Sequence, residues 1–313
     1  MNSTLFPVAL ARCPNYAQFE VDETVAKALE ASQIKLSPGS NLLIKPNLLR
    51  PHKLTCTSPQ VILAACKYFK QFNLNIQVGD SPGFGSATSV AAHIGLTDML
   101  APLGIKIVDL KSARKVSLSR SQTRLNISRL ALEADLILSL PRIKAHQQMG
   151  MSIAVKNCFG CIAGLGKARV HSSHGTSHSM FARLVVELFN TLPPVAALAD
   201  GITAMHVTGP SGGKPYQLGL IAASNSAQAL DTAIYCLMGL APQEVPLWQE
   251  ALNLGLPGAH PKNLGWPLLP GTDFDLTNFV LPPLASPSFH PWFLLNSSAR
   301  RIWARLKAFL PLT

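Results

Sequence analysis

The run Leu136–Leu140, closed by Pro141, is the feature that most constrains the fold of this chain. All of its residues except Ser139 are apolar, and a short apolar run ended by a proline predicts a strand buried inside a sheet. Similar short runs predict further strands at residues 8–11, 41–44, 74–78, 105–108, 195–199 and 218–222.

Segments with apolar residues at helical spacing alternate with these strands. They predict helices at residues 21–32, 59–72, 87–94, 181–189 and 227–238. This alternation is typical of an α/β fold, here a mostly parallel, doubly wound sheet with helices on both faces. The chain has 313 residues, of which 48% are hydrophobic, so it is long and apolar enough for a large core.

Composition divides the chain into three parts. Residues 1–256 carry the α/β pattern. Nine of the 24 prolines lie between Pro257 and Pro311, so we expect residues 257–296 to form a Pro-rich tail that wraps around the domain. Residues 297–313 combine an apolar face with four cations, which predicts a basic amphipathic helix.

The segment that follows the strand at 136–140 is cationic and rich in glycine. Between Asp135 and Glu187 it holds no acidic residue, six lysines or arginines, four histidines and five glycines. A segment of this kind at the carboxyl end of a strand is typical of a site for an anionic ligand. The alternative is a solvated basic loop, which does not explain five glycines among apolar runs such as residues 153–155.

Polar residues lie at or just beyond the ends of four predicted strands, namely Lys45, Asp80, Lys144 and Asp200. Because the carboxyl ends of parallel strands share one edge of a sheet, we expect these side chains to gather there. The loop 79–86 joins a strand to a helix, an arrangement that cradles anions with backbone N–H groups. It matches neither the dinucleotide fingerprint nor a P-loop, so it indicates neither NAD nor ATP. Its alternative role is a tight turn in which Asp80 caps the helix.

The net charge of +11 suits an acidic small molecule, an anionic membrane surface or nucleic acid. Nucleic acid is not expected as a partner, because only 7% of the residues are aromatic and no recognised nucleic-acid-binding motif is present. No run of about 18 residues lacks both charge and proline, and the N-terminal sequence does not have the pattern of a secretory signal. We therefore expect a cytoplasmic protein with reduced cysteines.

Several motifs together give the chain a family resemblance. They read LIKPNL at 43–48, GDSPG at 79–83, PRIKAH at 141–146 and AVKNCFGC at 154–161. In this order and spacing the chain resembles the family called domain of unknown function 362, from about Val8 to Trp266. The resemblance implies an α/β fold rather than a particular activity. Many relatives carry a ferredoxin-like iron–sulfur module after this domain. This sequence has no C-x-x-C-x-x-C run, so the resemblance does not identify a cofactor for it.

Two functions remain open at this point. The first is an enzyme acting on a small anionic substrate or cofactor, in which lysines pair with the anion and histidines move protons. We assign catalysis to His146, Lys144, Lys156 and His171. We assign ligand binding to Lys45, Asn47, Asp80, Ser81, Gly83, Asn157, Lys167 and Asp200. The alternative is a redox or assembly scaffold whose C-terminal helix docks a separate ferredoxin-like iron–sulfur protein or a membrane surface.

Cys158 and Cys161 have the spacing of metal ligands, but a structural zinc or iron–sulfur site needs a second pair and no second C-x-x-C exists. His171 or His174 would have to complete such a site. We predict that the purified chain binds no stoichiometric zinc or iron. Elemental analysis should give the same low metal content for wild type and Cys158→Ser. One metal ion per chain, lost in the variant, would contradict this prediction.

Overall fold

The computed structural model describes residues 5–83, 85–164 and 166–285. The strands of this part of the chain are β1 Phe6–Arg12, β2 Asn41–Pro46, β3 Asn75–Asp80, β4 Ile107–Asp109, β5 Ala113–Leu118, β6 Thr123–Ser128, β7 Leu136–Leu140, β8 Arg142–His146, β9 Gly150–Ser152, β10 Val195–His206, β11 Lys214–Ser224 and β12 Leu264–Gly265. The helices are α1 Gln18–Ala31, α2 Pro59–Lys70, α3 Ala87–His93, α4 Leu96–Leu100, α5 Arg129–Leu132, α6 Ala154–Asn157, α7 Gly166–His174, α8 His178–Thr191, α9 Ala227–Leu237 and α10 Pro246–Asn253.

Ten of the strands form one large mixed sheet. Its main order is β12-β1-β11-β10-β7-β2-β3-β4, with β8 paired to β10 and β9 paired to β8. Six of its nine strand pairings among the described residues are parallel; β1 and β10 pair with β11, and β8 with β9, in antiparallel fashion. The predicted α/β class with a mostly parallel sheet is therefore confirmed.

Helices cover both faces of this sheet. Successive residues of a strand point to opposite sides, so each face of the sheet packs against helices in its own apolar core. Leu42, Ile44 and Leu138 pack in one core with side chains of α1, α2, α3 and α4. Their neighbours Leu43 and Ile137 pack in a second core with side chains of α6, α8, α9 and α10. Apolar residues on both sides of a strand, as in β7, are the mark of such a doubly covered sheet.

One predicted strand is longer than the sequence indicates, and one strand was not predicted. The strand predicted at 195–199 runs on to His206, and a new strand, β8, begins directly after Pro141. β10 pairs first with β7, over residues 195–197, and then with β8 from Asp200 onward. Its pairing with β11 shifts register between Gly201 and Thr203. A side chain at position 201 would lie 2.7 Å from Ile143 Cδ1, so glycine allows the close crossing of β10 and β8. Asp200 consequently lies inside a strand and not beyond its end.

A buried ion pair joins β8 to β10. Arg142 Nη2 lies 3.2 Å from Asp200 Oδ2, and both side chains are almost fully buried. Asp200 also accepts hydrogen bonds from the Tyr16 hydroxyl at 2.9 Å and from the Ser58 amide at 2.8 Å. Burial lowers the pKa of Arg142, but the Asp200 carboxylate, the Tyr16 hydroxyl and Cys56 together outweigh burial and raise it above its ordinary value.

Strands β5 and β6 form a separate two-stranded hairpin. Its turn is held by Glu187 of α8, whose carboxylate accepts hydrogen bonds at 2.8 Å from the amides of Arg120 and Ser121. Neither strand of this hairpin was predicted, because charged residues interrupt the apolar pattern of residues 113–128.

The Pro-rich segment contributes to the sheet where it is described. Residues 264–265 form β12, which pairs with the start of β1, and Val207 donates a backbone hydrogen bond to Val280 at 2.8 Å. The predicted amphipathic helix at 297–313, with its ferredoxin-like or membrane partner, lies outside the described residues and stays a prediction. No helix of the described residues is long and apolar enough to cross a bilayer.

We predict that Arg142→Met lowers the free energy of unfolding by about 3–5 kcal/mol, because it leaves the Asp200 carboxylate buried without its cation. Urea denaturation measures the change. The matched control is Lys111→Met, which removes an ion pair to Asp109 of 3.1 Å in which the lysine side chain is 76% exposed. That variant should change stability by less than about 1 kcal/mol. Equally small changes in both variants would contradict the structural role of the buried pair.

Candidate functional site

The adjacent ends of β2 and β3 bring Lys45 and Asp80 together. The Lys45 ammonium lies 2.7 Å from Asp80 Oδ1, and both residues are almost fully buried. Gly160 lies directly against this pair, and any side chain at that position would collide with Lys45 Nζ and Asp80 Oδ1. The pair is thus covered by backbone, which explains a glycine inside the 154–161 motif.

The loop 47–58 is held by the carboxylates of both buried ion pairs. The second oxygen of Asp80 accepts a hydrogen bond from the Leu48 amide at 2.8 Å, and Asp200 accepts one from the Ser58 amide at 2.8 Å. Two carbonyl groups of the same loop accept hydrogen bonds from β8: Thr55 O from Lys144 Nζ at 3.0 Å, and Cys56 O from Arg142 Nε at 2.9 Å. The loop therefore closes over the polar face of β8.

The side-chain amide of Asn157 cross-links this region. Its oxygen accepts hydrogen bonds from Lys45 Nζ and from Asn47 Nδ2, each at 3.2 Å. Its nitrogen donates to the Lys45 carbonyl at 3.0 Å and to Ser139 Oγ at 3.1 Å. These four bonds use the two donors and two acceptor positions of the amide. The Asn157 side chain therefore holds Lys45, Asn47 and Ser139 in fixed positions relative to one another.

Lys144 is a buried cation held by neutral oxygens. Its ammonium donates to Asn47 Oδ1 and to the Thr55 carbonyl, and no carboxylate of the described residues forms an ion pair with it. Burial is the main reason that its pKa falls to about 7, and the positive charges of Arg142 and Lys45 add to the effect.

Lys156 is held by aromatic rings. Its Nζ lies 4.4 Å from the ring centre of Phe159 and 5.2 Å from that of Phe181, and the His171 ring stacks on Phe181 at 4.9 Å. Lysine ammonium groups bind favourably to aromatic faces. Burial nevertheless lowers the pKa of Lys156 to about 7, with further lowering by the charges of Lys144, Lys167 and Lys45.

The two predicted catalytic histidines are neutral in this environment. Burial, together with the charges of Lys156 and Lys144, lowers the pKa of His146 well below its usual value. The same two causes, burial first and then the charges of Lys156 and Lys167, lower the pKa of His171 to about 3. His146 Nδ1 accepts a hydrogen bond from the Gln148 amide at 3.2 Å, so the proton of its neutral ring lies on Nε2.

Asp231 positions the short helix α6 that carries Lys156 and Asn157. Its carboxyl oxygens accept hydrogen bonds from the amides of Ala154 at 2.8 Å and Val155 at 2.9 Å. Burial raises the pKa of Asp231 to about 7, although both amides oppose this change. A group from α9 therefore orients the first turn of a helix that is too short to be stable alone.

The remaining predicted ligand-binding residues lie around this cluster. Lys167 of α7 donates to the Ser81 carbonyl, which joins α7 to the 79–86 loop. Gly83 is near Leu49, since a side chain at position 83 would lie 3.4 Å from Leu49 Cδ1. Asp200 belongs to the separate pair with Arg142.

The N–H groups at the start of α3 are partly occupied by protein oxygens. Asp109 Oδ1 accepts from the Ala87 amide at 2.5 Å, and Ser86 Oγ accepts from the Ser89 amide at 3.1 Å. Ser86, and not Asp80, caps this helix. The anion cradle predicted for the 79–86 loop is thus less open than its sequence indicates. The two buried lysines that form no ion pair with the described residues, Lys144 and Lys156, lie on β8 and α6.

A surface cleft and a pair of cysteines are two further features of the described residues. A surface cleft of about 540 Å³ lies along β1 and α1, lined by Arg12, Glu23 and Lys27 among others, but it contains none of the buried lysines. Cys158 and Cys161 are both buried, and burial raises the pKa of Cys161 to about 11. No group of three metal-binding side chains occurs in the described ranges.

Sequence reasoning missed the roles of Phe159, Phe181 and Arg142. The two phenylalanines were indistinguishable from core residues, although Phe159 belongs to the 154–161 motif. Arg142 has a clearer signal, because polar residues alternate with Ile143 and Ala145 from 142 to 146, which is the pattern of a strand with one polar face.

Comparisons with known proteins agree with the motifs. The chain is 36% identical over 256 residues to the thylakoid-associated protein sll1697 of Synechocystis sp., covering 80% of this chain and 79% of that protein. A structural comparison gives the lactate racemase apoprotein of Thermoanaerobacterium thermosaccharolyticum, with a TM-score of 0.49 and 15% identity, covering 76% of this chain and 58% of that one. The model of the domain of unknown function DUF362 matches residues 42–235. The chain belongs to the DUF362 family.

Proposed function

We propose that this protein is an enzyme acting on a small anionic substrate, a carboxylate or phosphate compound held by Lys144 and Lys156. The observation that carries the proposal is that both lysines are buried without a carboxylate partner among the described residues. An unpaired buried charge is costly. Titratable groups with strongly shifted pKa values in one cluster are typical of functional sites.

The neighbouring groups divide into a frame and a reactive set. Lys45, Asp80 and Asn157 satisfy one another and serve as the frame. Lys144 and Lys156 remain to receive negative charge from a ligand. His146, with its proton on Nε2, is the group placed to move a proton on that ligand, and His171 is the second candidate.

A bound anion would also change the pKa of His146. Part of the lowered pKa of His146 comes from the positive charges of Lys156 and Lys144. An anion between these lysines offsets their charge, so the pKa of His146 rises toward its ordinary range. Proton transfer by His146 near neutral pH would then depend on the substrate being bound.

The pH dependence of stability, measured without added anion, tests the protonation state of Lys156. Lys156 has a pKa of about 7 in the folded chain and about 10.4 in an unfolded one. Below about pH 7 the lysine is protonated in both states, and the full cost of burying its charge is present. Between about pH 7 and about pH 10 the unfolded chain binds more protons, so the free energy of unfolding rises with pH. Lys156→Met should therefore be more stable than wild type at about pH 6.5, with a difference that shrinks by about pH 8.5.

Thermal denaturation of both proteins across this range measures the difference. The buried cysteines titrate in both chains, so their contribution cancels. Lys27→Met, on the exposed side of α1, is the control and should differ from wild type by the same amount at each pH. A difference between Lys156→Met and wild type that does not change with pH would show that Lys156 keeps its proton.

Anion binding tests the proposal itself. Phosphate or a dicarboxylate should stabilise the wild type, by about 2.7 kcal/mol at 100 times the dissociation constant. Lys144→Met and Lys156→Met should each lose this gain, while Lys27→Met keeps it. Binding at about pH 8 should also take up protons, because the anion raises the pKa of both lysines. Calorimetry in two buffers of different ionisation enthalpy detects that uptake.

His146→Gln separates binding from chemistry. It should keep the thermal shift with phosphate or a dicarboxylate and lose turnover of any carboxylate or phosphate substrate of the wild type. Equal thermal shifts in wild type and in both lysine variants would rule out the proposed anion site.

A further inference from the structure

The hairpin β5–β6 and its flanks concentrate exposed positive charge that does not belong to the buried lysine cluster. Residues 106–129, here called the basic hairpin, contain seven cations, all of them exposed: Lys106, Lys111, Arg114, Lys115, Arg120, Arg124 and Arg129. The only acidic residue of this segment, Asp109, forms an ion pair with Lys111 at 3.1 Å. The other six cations form no ion pair with the described residues.

The hairpin is a firmly anchored platform. Leu118, Leu125 and Ile127 are buried in the core beside α8. Its turn is bound by Glu187, and Ala163 donates a backbone hydrogen bond to Asn126 at 2.8 Å. Because side chains alternate across a strand, Lys115 and Arg124 lie on the opposite, outward face.

The distribution of these charges favours one kind of partner. The basic hairpin has no aromatic residue on which nucleic-acid bases stack. Lys115 and Arg124 lie on the outward face and Arg120 lies at the turn, whereas Arg114 lies on the same strand face as Leu118 and the other three cations flank the hairpin. The cations therefore do not share one strand face, as a row that follows a phosphate backbone would. An acidic protein would need a fixed pattern of carboxylates to match them. Anionic lipid headgroups diffuse within the bilayer and can gather beneath charges spread in this way.

We propose that the basic hairpin is a docking surface for an anionic lipid bilayer. Clusters of four to eight lysines and arginines are typical of binding to acidic membrane surfaces. No large apolar side chain of the basic hairpin is exposed, so the attraction is electrostatic and weakens with salt. This inference is independent of the proposed anion site.

Vesicle co-sedimentation of the full chain tests the proposal. The vesicles contain equal parts of phosphatidylglycerol and phosphatidylcholine, at low salt. Each cation near an acidic surface contributes about five-fold to partitioning. The triple variant Lys115→Gln, Arg120→Gln, Arg124→Gln should therefore bind about a hundred-fold more weakly than wild type. All three changes are at exposed positions, and an unchanged melting temperature confirms folding.

A matched variant removes the same charge elsewhere. Lys27→Gln, Lys35→Gln, Lys262→Gln changes three exposed lysines outside the hairpin and should retain most of the binding. Arg120→Lys with Arg124→Lys keeps the charge and should bind as wild type does.

Equal losses in the two triple variants would overturn the proposal, as would unchanged binding by the hairpin variant. Wild-type binding to pure phosphatidylcholine at the same strength would also overturn it, and so would tighter binding to a short DNA duplex than to the acidic vesicles.

Discussion

The buried pair of Lys45 and Asp80 is the interaction on which the rest of the site depends. It joins the ends of two neighbouring strands, and its acceptor and donor atoms also hold the Leu48 amide and the Asn157 side chain. Removing one member of a buried ion pair leaves an uncompensated charge, which is far more damaging than losing an exposed pair. Because Asn157 contacts Asn47, and Asn47 contacts Lys144, the position of Lys144 follows from this pair through direct hydrogen bonds.

Much of the fold follows from local sequence. The buried strands from 41 to 46 and from 136 to 140 are recognisable because both of their faces are apolar and a proline closes each run. The continuation of β10 beyond Asp200 was not predictable in this way. It depends on a close crossing with β8 at Gly201, a contact between segments that are distant in sequence. The glycine is the sequence signal of this contact.

The candidate site was predictable in position but not in detail. Sheet topology places Lys45 and Asp80 at one edge, and their contact agrees with that reasoning. The surroundings of Lys156 are a different case, because α6 is oriented by Asp231 from α9 and its lysine is enclosed by rings from residues 159 and 181. Such long-range arrangements have no periodic signal. The placement of Lys144 and His146 on one face of β8 is the exception, since polar and apolar residues alternate from 142 to 146, although these residues were not predicted as a strand.

The position of β1 in the sheet has a consequence for how the protein is made. The first described strand lies between β11 and β12, with Val8 opposite Ser224 and Phe6 opposite Leu264. Both partners leave the ribosome long after β1 does, while β2, β3 and β7 can already assemble as a parallel core. During synthesis β1 therefore waits with two open hydrogen-bonding edges and an apolar sequence, the kind of segment that invites wrong pairing. The sheet is complete only when β1 has paired with both of these later segments.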